Sequence, residues 1–232
     1  MARDDALLIS CEHGGNTIPQ RYAKLFTGAQ RVLNSHRAYD RGALEVARLL
    51  ARKLNAPLIT ATVSRLLVDL NRSAHHRKLF SEYSAVLSKP QRQRLLDQYY
   101  HPHRDAIEQQ VDKARASRRP MLHLAIHSLT PELDGEVRTA DIGLLYDPRR
   151  HREREFCHSL RTQLQQALPG LRVRMNYPYR GTADGLTTAL RRQHGDRHYA
   201  GIEVEINQRL LDRRDWLALR RQLVAALSIA AS

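Results

Sequence analysis

Short apolar runs alternate with segments of helical periodicity along almost the whole chain, and this alternation limits the folds that are open to it. A repeated strand and helix pattern favours a mainly parallel sheet, because each crossover places a helix against a face of the sheet. We therefore predict an α/β fold of three layers, with a mainly parallel or mixed sheet, helices on both faces, and one domain spanning residues 1–232.

The spacing of apolar residues predicts where the individual elements lie. Strands are predicted in the run that opens at Leu7 and in residues 58–61, 64–72, 121–128, 141–146, 172–175 and 200–206. Helices are predicted at about 40–54, 90–117, 152–168, 185–193 and 213–230. Pro102 lies inside the second of these helices and predicts a kink or a division into two helices, because proline lacks the backbone N–H.

Polar side chains follow several of the predicted strands. His13, Asp69, His127 and Glu205 each lie at or just after the end of an apolar run. The carboxyl ends of parallel strands share one edge of a sheet, so these groups could meet there. Two histidines and a carboxylate with one open position form a catalytic zinc arrangement. Asp40 could supply the carboxylate, or it could instead be the N-cap of the helix at 40–54, a role that aspartate fills well.

The chain carries 38 Lys and Arg against 24 Asp and Glu, a formal net charge of +14. Such a charge can indicate a nucleic acid or another polyanion as partner. The arginines are scattered in pairs, however, with no long basic block and no aromatic-interleaved stripe of the kind that stacks bases, and the chain has only three Phe and one Trp. Solvated helix faces, or the attraction of a small anionic substrate, are therefore favoured over nucleic acid. No apolar run approaches the ~20 residues of a membrane span.

The two cysteines, Cys11 and Cys157, provide no disulfide framework. This use of cysteine agrees with a reducing compartment, and we expect a cytoplasmic protein. The sequence does not indicate an oligomeric state.

Seven short motifs occur in a fixed order over nearly the whole chain. They are His13-Gly14-Gly15 with Ile18-Pro19, His36 to Asp40, Arg65 with Asp69-Leu70-Asn71-Arg72, Tyr100-His101-Pro102-His103, His127-Ser128, Asn176 to Gly181, and Ile202 to Arg209. In these motifs the chain resembles the N-formylglutamate amidohydrolase (N-formylglutamate deformylase) family. The resemblance implies a phosphorylase/hydrolase-like fold related to zinc carboxypeptidases. It also implies zinc-dependent hydrolysis of an N-acyl group from an acidic amino acid, with N-formyl-L-glutamate, an intermediate of histidine breakdown, giving formate and glutamate.

This resemblance leads to a hypothesis for the metal site, in which His13, Asp40 and His127 hold one zinc ion. Asn16 lies three residues after His13, where zinc carboxypeptidases carry a glutamate ligand. An amide is a poor zinc ligand, so Asn16 is left out of the set. His103 lies on an apolar helix stripe and is interpreted as a structural histidine.

Glu205 is the hypothesised general base, which takes a proton from the attacking water and passes it to the leaving amine. Glu203 is its rival, because alternate residues of a strand point to the same face. Either glutamate could instead form a salt bridge to one of the many arginines.

The substrate carboxylates are assigned to Arg72 and Arg180, together with Asn71, because planar guanidinium groups bind carboxylates in a bidentate manner. Because the chain has so many arginines, both could instead be ordinary surface residues, an alternative that is stronger for Arg180 than for Arg72. Two other functions stay open at this point: a basic protein that binds polyanions or nucleic acid, and a metal phosphoesterase whose arginines hold phosphate.

Overall fold

A mixed six-stranded sheet lies at the centre of the computed structural model, which describes residues 5–231. Its strands are β1 (Ala6–Cys11), β2 (Leu58–Thr60), β3 (Met121–Leu129), β6 (Ile142–Leu145), β7 (Val173–Met175) and β8 (Tyr199–Asn207). They lie in the order β2-β1-β3-β8-β6-β7. Strands β2, β1, β3 and β8 are parallel, whereas β6 pairs antiparallel with β8 and parallel with β7. A separate small hairpin consists of β4 (Glu132–Leu133) and β5 (Glu136–Val137).

Helices cover both faces of this sheet. The α-helices are α1 (Gln30–Leu33), α2 (Ala43–Leu54), α3 (Lys89–Leu95), α4 (His101–Ala116), α5 (His151–Ala167), α6 (Leu186–Gln193) and α7 (Trp216–Ala231). Leu8 of β1 packs in one core cluster with residues of α4 and α6, and the next residue, Ile9, packs in another with residues of α2, α5 and α7. Because neighbouring strand residues face opposite ways, this division confirms the predicted three layers and the mixed sheet.

Most of the predicted elements are present. Strands β2, β3, β6, β7 and β8 match the predicted runs closely. The helical stretch around Pro102 remains helical, but a π-helical segment, Leu96–Tyr100, separates α3 from α4. Pro102 is the second residue of α4, and the backbone stays right-handed helical through Tyr100 and His101 before it. The predicted interruption is thus present as this π-helical segment between α3 and α4.

The strand predicted at 64–72 is wrong. This segment forms turns, and next to it Val63 makes only an isolated bridge with Thr17. Its apolar side chains, such as Leu67 and Leu70, are buried in a second core cluster beside the sheet rather than in a ladder. An apolar run of this length does not distinguish a strand from a buried turn, and here the neighbouring packing decides.

Within residues 5–231, no helix combines the length and the apolar character that crossing a bilayer requires. The site described next depends on two parallel strands of the sheet. In the pairing of β3 with β8, His127 lies directly opposite Glu205, at the carboxyl ends of both strands.

Candidate metal and active site

Polar side chains meet at the carboxyl edge of β1, β3 and β8. His13 follows the end of β1, and His127 lies close to the end of β3. The backbone N–H of Asp40 donates to the carbonyl of His13 across 2.8 Å, which fixes Asp40 beside it. The sheet therefore brings together three residues that are far apart in the chain, as the sequence predicted.

His13, Asp40 and His127 form a compact donor cluster. One ligand atom from each residue lies within 4.8 Å of the others, and all three side chains are buried. Oδ2 of Asp40 is 2.9 Å from Nδ1 of His127 and 3.5 Å from Nδ1 of His13. Nδ1 of His13 is buried without a hydrogen-bond partner among the described residues. Both imidazoles thus direct Nδ1 towards the same carboxylate.

The outer nitrogen of each imidazole faces a second carboxylate. Nε2 of His13 lies 2.8 Å from Oδ1 of Asp69, and Nε2 of His127 lies 3.1 Å from Oε2 of Glu12. A carboxylate on the far nitrogen fixes the tautomer and the orientation of a metal-binding histidine, leaving the near nitrogen to bind the metal. Each imidazole therefore has Asp40 near its Nδ1 and a second carboxylate near its Nε2.

Charge in this site favours a cation. Glu12, Asp40 and Asp69 are all buried. The guanidinium of Arg65 compensates part of their charge, with Nη2 2.9 Å from Oδ2 of Asp69 and Nη1 3.5 Å from Oδ1 of Asp40. Nε of Arg72 lies farther off, 3.9 Å from Oδ2 of Asp69, so three carboxylates face two guanidinium groups and one negative charge is left around the two imidazoles. Because an uncompensated buried charge is costly, a divalent cation fits this donor set.

The pKa values reflect the same imbalance. Burial and Arg65 act to lower the pKa of His13, but Asp69 and Asp40 outweigh them and raise it. Burial also opposes protonation of His127, yet Asp40 and Glu12 raise its pKa well above the ordinary value of histidine. The pKa of Asp40 is lowered, against the effect of burial, by His13 and His127. The carboxylates thus hold positive charge at both imidazoles, in the place a metal ion would take.

Asp40 does not cap α2. The helix begins at Ala43, and its N-cap is Gly42, which has a φ of 80° that favours glycine. The carboxylate of Asp40 instead contacts His127 and accepts a hydrogen bond from the backbone N–H of Ser128 at 3.3 Å. Of the two interpretations of Asp40 that the sequence left open, the N-cap is therefore wrong.

The two glutamates of β8 have different surroundings. Burial, opposed by His127 and reinforced by Asp40, raises the pKa of Glu205 to about 7. Oε1 of Glu203 accepts a hydrogen bond from Oγ1 of Thr187 at 2.6 Å, which ties Glu203 to α6. Both glutamates line the cleft beside the cluster. A pKa of about 7 suits Glu205 to the transfer of protons near neutral pH.

A cleft of about 200 Å³ opens above the donor cluster. Asn71, Arg72 and Arg180 all line it. Oδ1 of Asn71 accepts from the backbone N–H of Leu186 at 2.8 Å, and so holds the start of α6. Arg72 lies next to the cluster, with Nε 3.9 Å from Oδ2 of Asp69. Arg180 is exposed at the rim. The structure thus brings the three predicted substrate residues to one cleft, and gives Asn71 a structural contact as well.

Several residues of the site were not assigned from the sequence. Glu12 and Asp69 orient the histidines, and Arg65 contacts two of the carboxylates. Asp69 and Arg65 belong to motifs that the sequence analysis had singled out, so a signal was present for both. Arg138 also lines the cleft, but it follows the β4–β5 hairpin, outside every motif, and nothing in the sequence distinguishes it from the many other arginines.

Comparisons with known proteins agree with this fold. The model of the N-formylglutamate amidohydrolase family matches residues 5–211. The chain is similar to the crystal structure of gene product Atu2144 from Agrobacterium tumefaciens, with 30% identity and a TM-score of 0.80, covering 100% of this chain and 93% of that one. It also shares its fold with N-formylglutamate amidohydrolase from Ralstonia eutropha JMP134, with 19% identity and a TM-score of 0.72, covering 99% and 94% of the two chains. No curated protein matches by sequence.

Proposed function

The chain belongs to the N-formylglutamate amidohydrolase family, and from this membership we propose that it is a zinc-dependent hydrolase of small N-acyl amino acids. N-formyl-L-glutamate is the proposed substrate, with formate and glutamate as products. The observation that carries the proposal is the cluster of His13, Asp40 and His127, whose two imidazoles are each backed by a further carboxylate.

The proposed zinc ligands are Nδ1 of His13, Nδ1 of His127 and the carboxylate of Asp40. Bound zinc supplies a Lewis acid that acidifies water and polarises a carbonyl group. Asp69 keeps the imidazole of His13 oriented by accepting from its Nε2–H, and the carboxylate of Glu12, 3.1 Å from Nε2 of His127, attracts the other ring. Because both rings are buried between carboxylates, these donors are already in place before a ligand arrives.

Glu205 is the proposed general base. Its carboxylate accepts a proton from water as the oxygen of that water adds to the formyl carbon. It then returns the proton to the amine nitrogen as the C–N bond breaks, so that formate and glutamate leave. A pKa of about 7 suits both halves of this cycle, because the group can accept and donate at neutral pH.

Arg72, Arg180 and Asn71 are proposed to bind the anionic part of the substrate. Arg72 is next to the metal ligands, since it approaches Asp69, which contacts His13. Arg180 lies at the exposed rim, where its guanidinium can meet an incoming anion. A positively charged cleft wall also accelerates the encounter with an anionic substrate.

We place the enzyme in the cytoplasm as part of the proposal. Cys11 and Cys157 are both buried as free thiols, which agrees with a reducing compartment.

The test starts with the metal content of the purified protein. The protein is then stripped with a chelator, reloaded with zinc, and assayed on formyl-, acetyl- and succinyl-glutamate and on an aryl phosphate. We expect release of formate from N-formyl-L-glutamate, loss of that activity after chelation, and recovery with zinc. Full activity in metal-free protein would contradict the proposed metal dependence, and turnover of the aryl phosphate alone would favour a phosphoesterase.

A further inference from the structure

Arg138 is a buried arginine in the wall of the cleft. Its residue is only 7% exposed, although it lines the same cleft as the donor cluster. The backbone on both sides of its side chain is held in place. Its N–H donates to the carbonyl of Pro131 at 2.8 Å, and its carbonyl accepts from Nδ2 of Asn207 at 3.2 Å. The guanidinium therefore starts from a fixed point between the β4–β5 hairpin and the end of β8.

Tyr179 aims this guanidinium. Nη2 of Arg138 donates to the hydroxyl of Tyr179 at 2.7 Å, and the guanidinium carbon lies 5.0 Å from the centre of the tyrosine ring. The ring is half exposed, so it forms the outer side of the cleft. Contact with an aromatic face and a hydroxyl restricts the rotamers of the arginine, which reduces the entropy lost when the arginine binds an anion.

No carboxylate of residues 5–231 lies within 4 Å of the guanidinium of Arg138. Two other arginines show the usual arrangement. Buried Arg191 pairs with Glu153 at 2.9 Å, and Arg209 pairs with Asp141 at 2.8 Å. A buried cation without a counter-ion is costly, and an anionic ligand bound in the cleft would supply the opposite charge. The neutral hydroxyl of Tyr179 does not supply it.

The lowered pKa of His36 indicates a positive electrostatic potential in the part of the cleft near Arg138. His36 lines the cleft, and its pKa is lowered first by burial and then by Arg138, Arg37 and Arg65. Two cleft arginines thus act on one imidazole, with only a weaker opposing effect from Asp134. An anion bound among these groups would relieve their mutual repulsion.

We propose that Arg138, aimed by Tyr179, binds the side-chain carboxylate of the acylated amino acid and thereby selects dicarboxylic substrates. The proposal rests on the proposed function. It assigns the α-carboxylate to Arg72, which lies beside the metal ligands, because that carboxylate is attached next to the amide that reacts. The side-chain carboxylate of glutamate is several bonds farther from the amide, and Arg138 stands on the wall formed by the hairpin and Tyr179. The distance between Arg72 and Arg138 would then select substrates by the length of their acidic side chain.

The test compares N-formyl-L-glutamate with N-formyl-L-glutamine, which has nearly the same shape but lacks the side-chain charge. Binding of each is measured by calorimetry in the zinc-loaded Glu205→Gln protein, where turnover is blocked, with and without Arg138→Gln. Turnover of both compounds is measured in parallel in the chain with Glu205 intact. A charge-assisted hydrogen bond contributes enough for us to expect about a 10- to 100-fold preference for the glutamate compound, which Arg138→Gln should abolish.

The two proposals fail in different ways. Absence of turnover with an intact, Arg138-dependent binding preference would reject the hydrolase and support the role of Arg138. Equal binding of the two compounds before Arg138 is changed, or a preference that survives Arg138→Gln, would overturn the role of Arg138. If Arg138→Gln does not fold, Tyr179→Phe replaces it, because it removes only the hydroxyl that aims the guanidinium. We then expect a smaller but measurable loss of the preference, and an unchanged preference would overturn the proposal.

Discussion

Oε2 of Glu12 lies 3.1 Å from Nε2 of His127, and the Glu12 side chain is completely buried. The other carboxylate oxygen, Oε1, lies 3.4 Å from Nε2 of His103 on α4. The pKa of Glu12 falls well below its usual value, because His103 and His127 outweigh the effect of burial. An ionised carboxylate therefore sits behind a proposed metal ligand, and a helix histidine holds that carboxylate in place.

This contact predicts that Glu12 is a positioning residue for the metal. Glu12→Gln keeps the shape of the side chain and removes its charge, so we expect zinc affinity to fall about 10- to 100-fold. His103→Asn removes only the far partner of Glu12 and should have a smaller effect. Competition with a zinc chelator, on protein checked for folding by circular dichroism, measures both. Unchanged zinc affinity in Glu12→Gln would show that the charge of Glu12 does not contribute to metal binding.

The donor cluster predicts which histidines determine the metal content. We expect His13→Ala and His127→Ala each to lose bound zinc, because each removes one of three protein ligands. His158→Ala on the exposed side of α5 is the matched control and should keep the metal content of the unaltered protein. Atomic absorption on dialysed protein gives the readout. A stoichiometric zinc content in His127→Ala would show that the metal is bound elsewhere in the protein.

The difference between the two glutamates of β8 predicts different kinetics. Glu205→Gln should lower kcat by about 10²- to 10⁴-fold with little change in zinc content, because a general base contributes about this much. Glu203 accepts a hydrogen bond from Thr187. Glu203→Gln should therefore act mainly through the placement of α6 and lower kcat less. Steady-state kinetics on N-formyl-L-glutamate compares them. A larger loss of kcat in Glu203→Gln than in Glu205→Gln would indicate that Glu203 is the general base.

His123 predicts how stability depends on pH. Its imidazole lies between Oγ of Ser10 at 2.7 Å and the hydroxyl of Tyr199 at 2.8 Å, and burial lowers its pKa to about 4. The folded pKa is below the ~6.5 of an unfolded histidine, so the unfolded chain binds the proton more readily between these two values. The contribution of His123 to the free energy of unfolding is therefore fully present above about pH 6.5 and is lost as the pH falls towards 4.

The measurement is urea unfolding of the unaltered chain and of His123→Gln at a series of pH values. The unfolding free energy of the unaltered chain should fall by roughly 3 kcal/mol more than that of His123→Gln between about pH 7 and pH 4. Taking the difference cancels the titrating groups that do not interact with His123. Parallel pH profiles of the two proteins would mean that His123 can take up a proton in the folded state.

The order of strands and helices was predictable because it depends on local spacing. Apolar periodicity is a property of neighbouring residues, so β3, β6 and β8 and the division at Pro102 could be recognised without any knowledge of the fold. If the strands are parallel, their carboxyl ends share one edge of the sheet, which predicts that His127 and Glu205 lie close together. In the structure the register of β3 with β8 places these two residues opposite each other.

Local spacing failed where packing against a distant part of the chain decides the structure. The segment at 64–72 has the composition of a strand, yet it becomes a set of turns buried in the second core cluster. For Asp40 the sequence left two interpretations open, and its contact with His127, 87 positions away, decides against the N-cap. In both cases the deciding neighbour lies outside any short window of sequence.

Local residue patterns were enough to predict the α/β class, the edge of the sheet where polar side chains meet, and the three residues of the donor cluster. The tertiary structure alone decided that Asp69 and Glu12 stand behind the two histidines, the first of them across a separation of 56 residues, and that Arg138 is buried without a carboxylate. The physical reason is that a charged side chain takes its role from the charges within a few ångströms of it. Those neighbours are set by the folding of the whole chain and not by the residues adjacent in sequence.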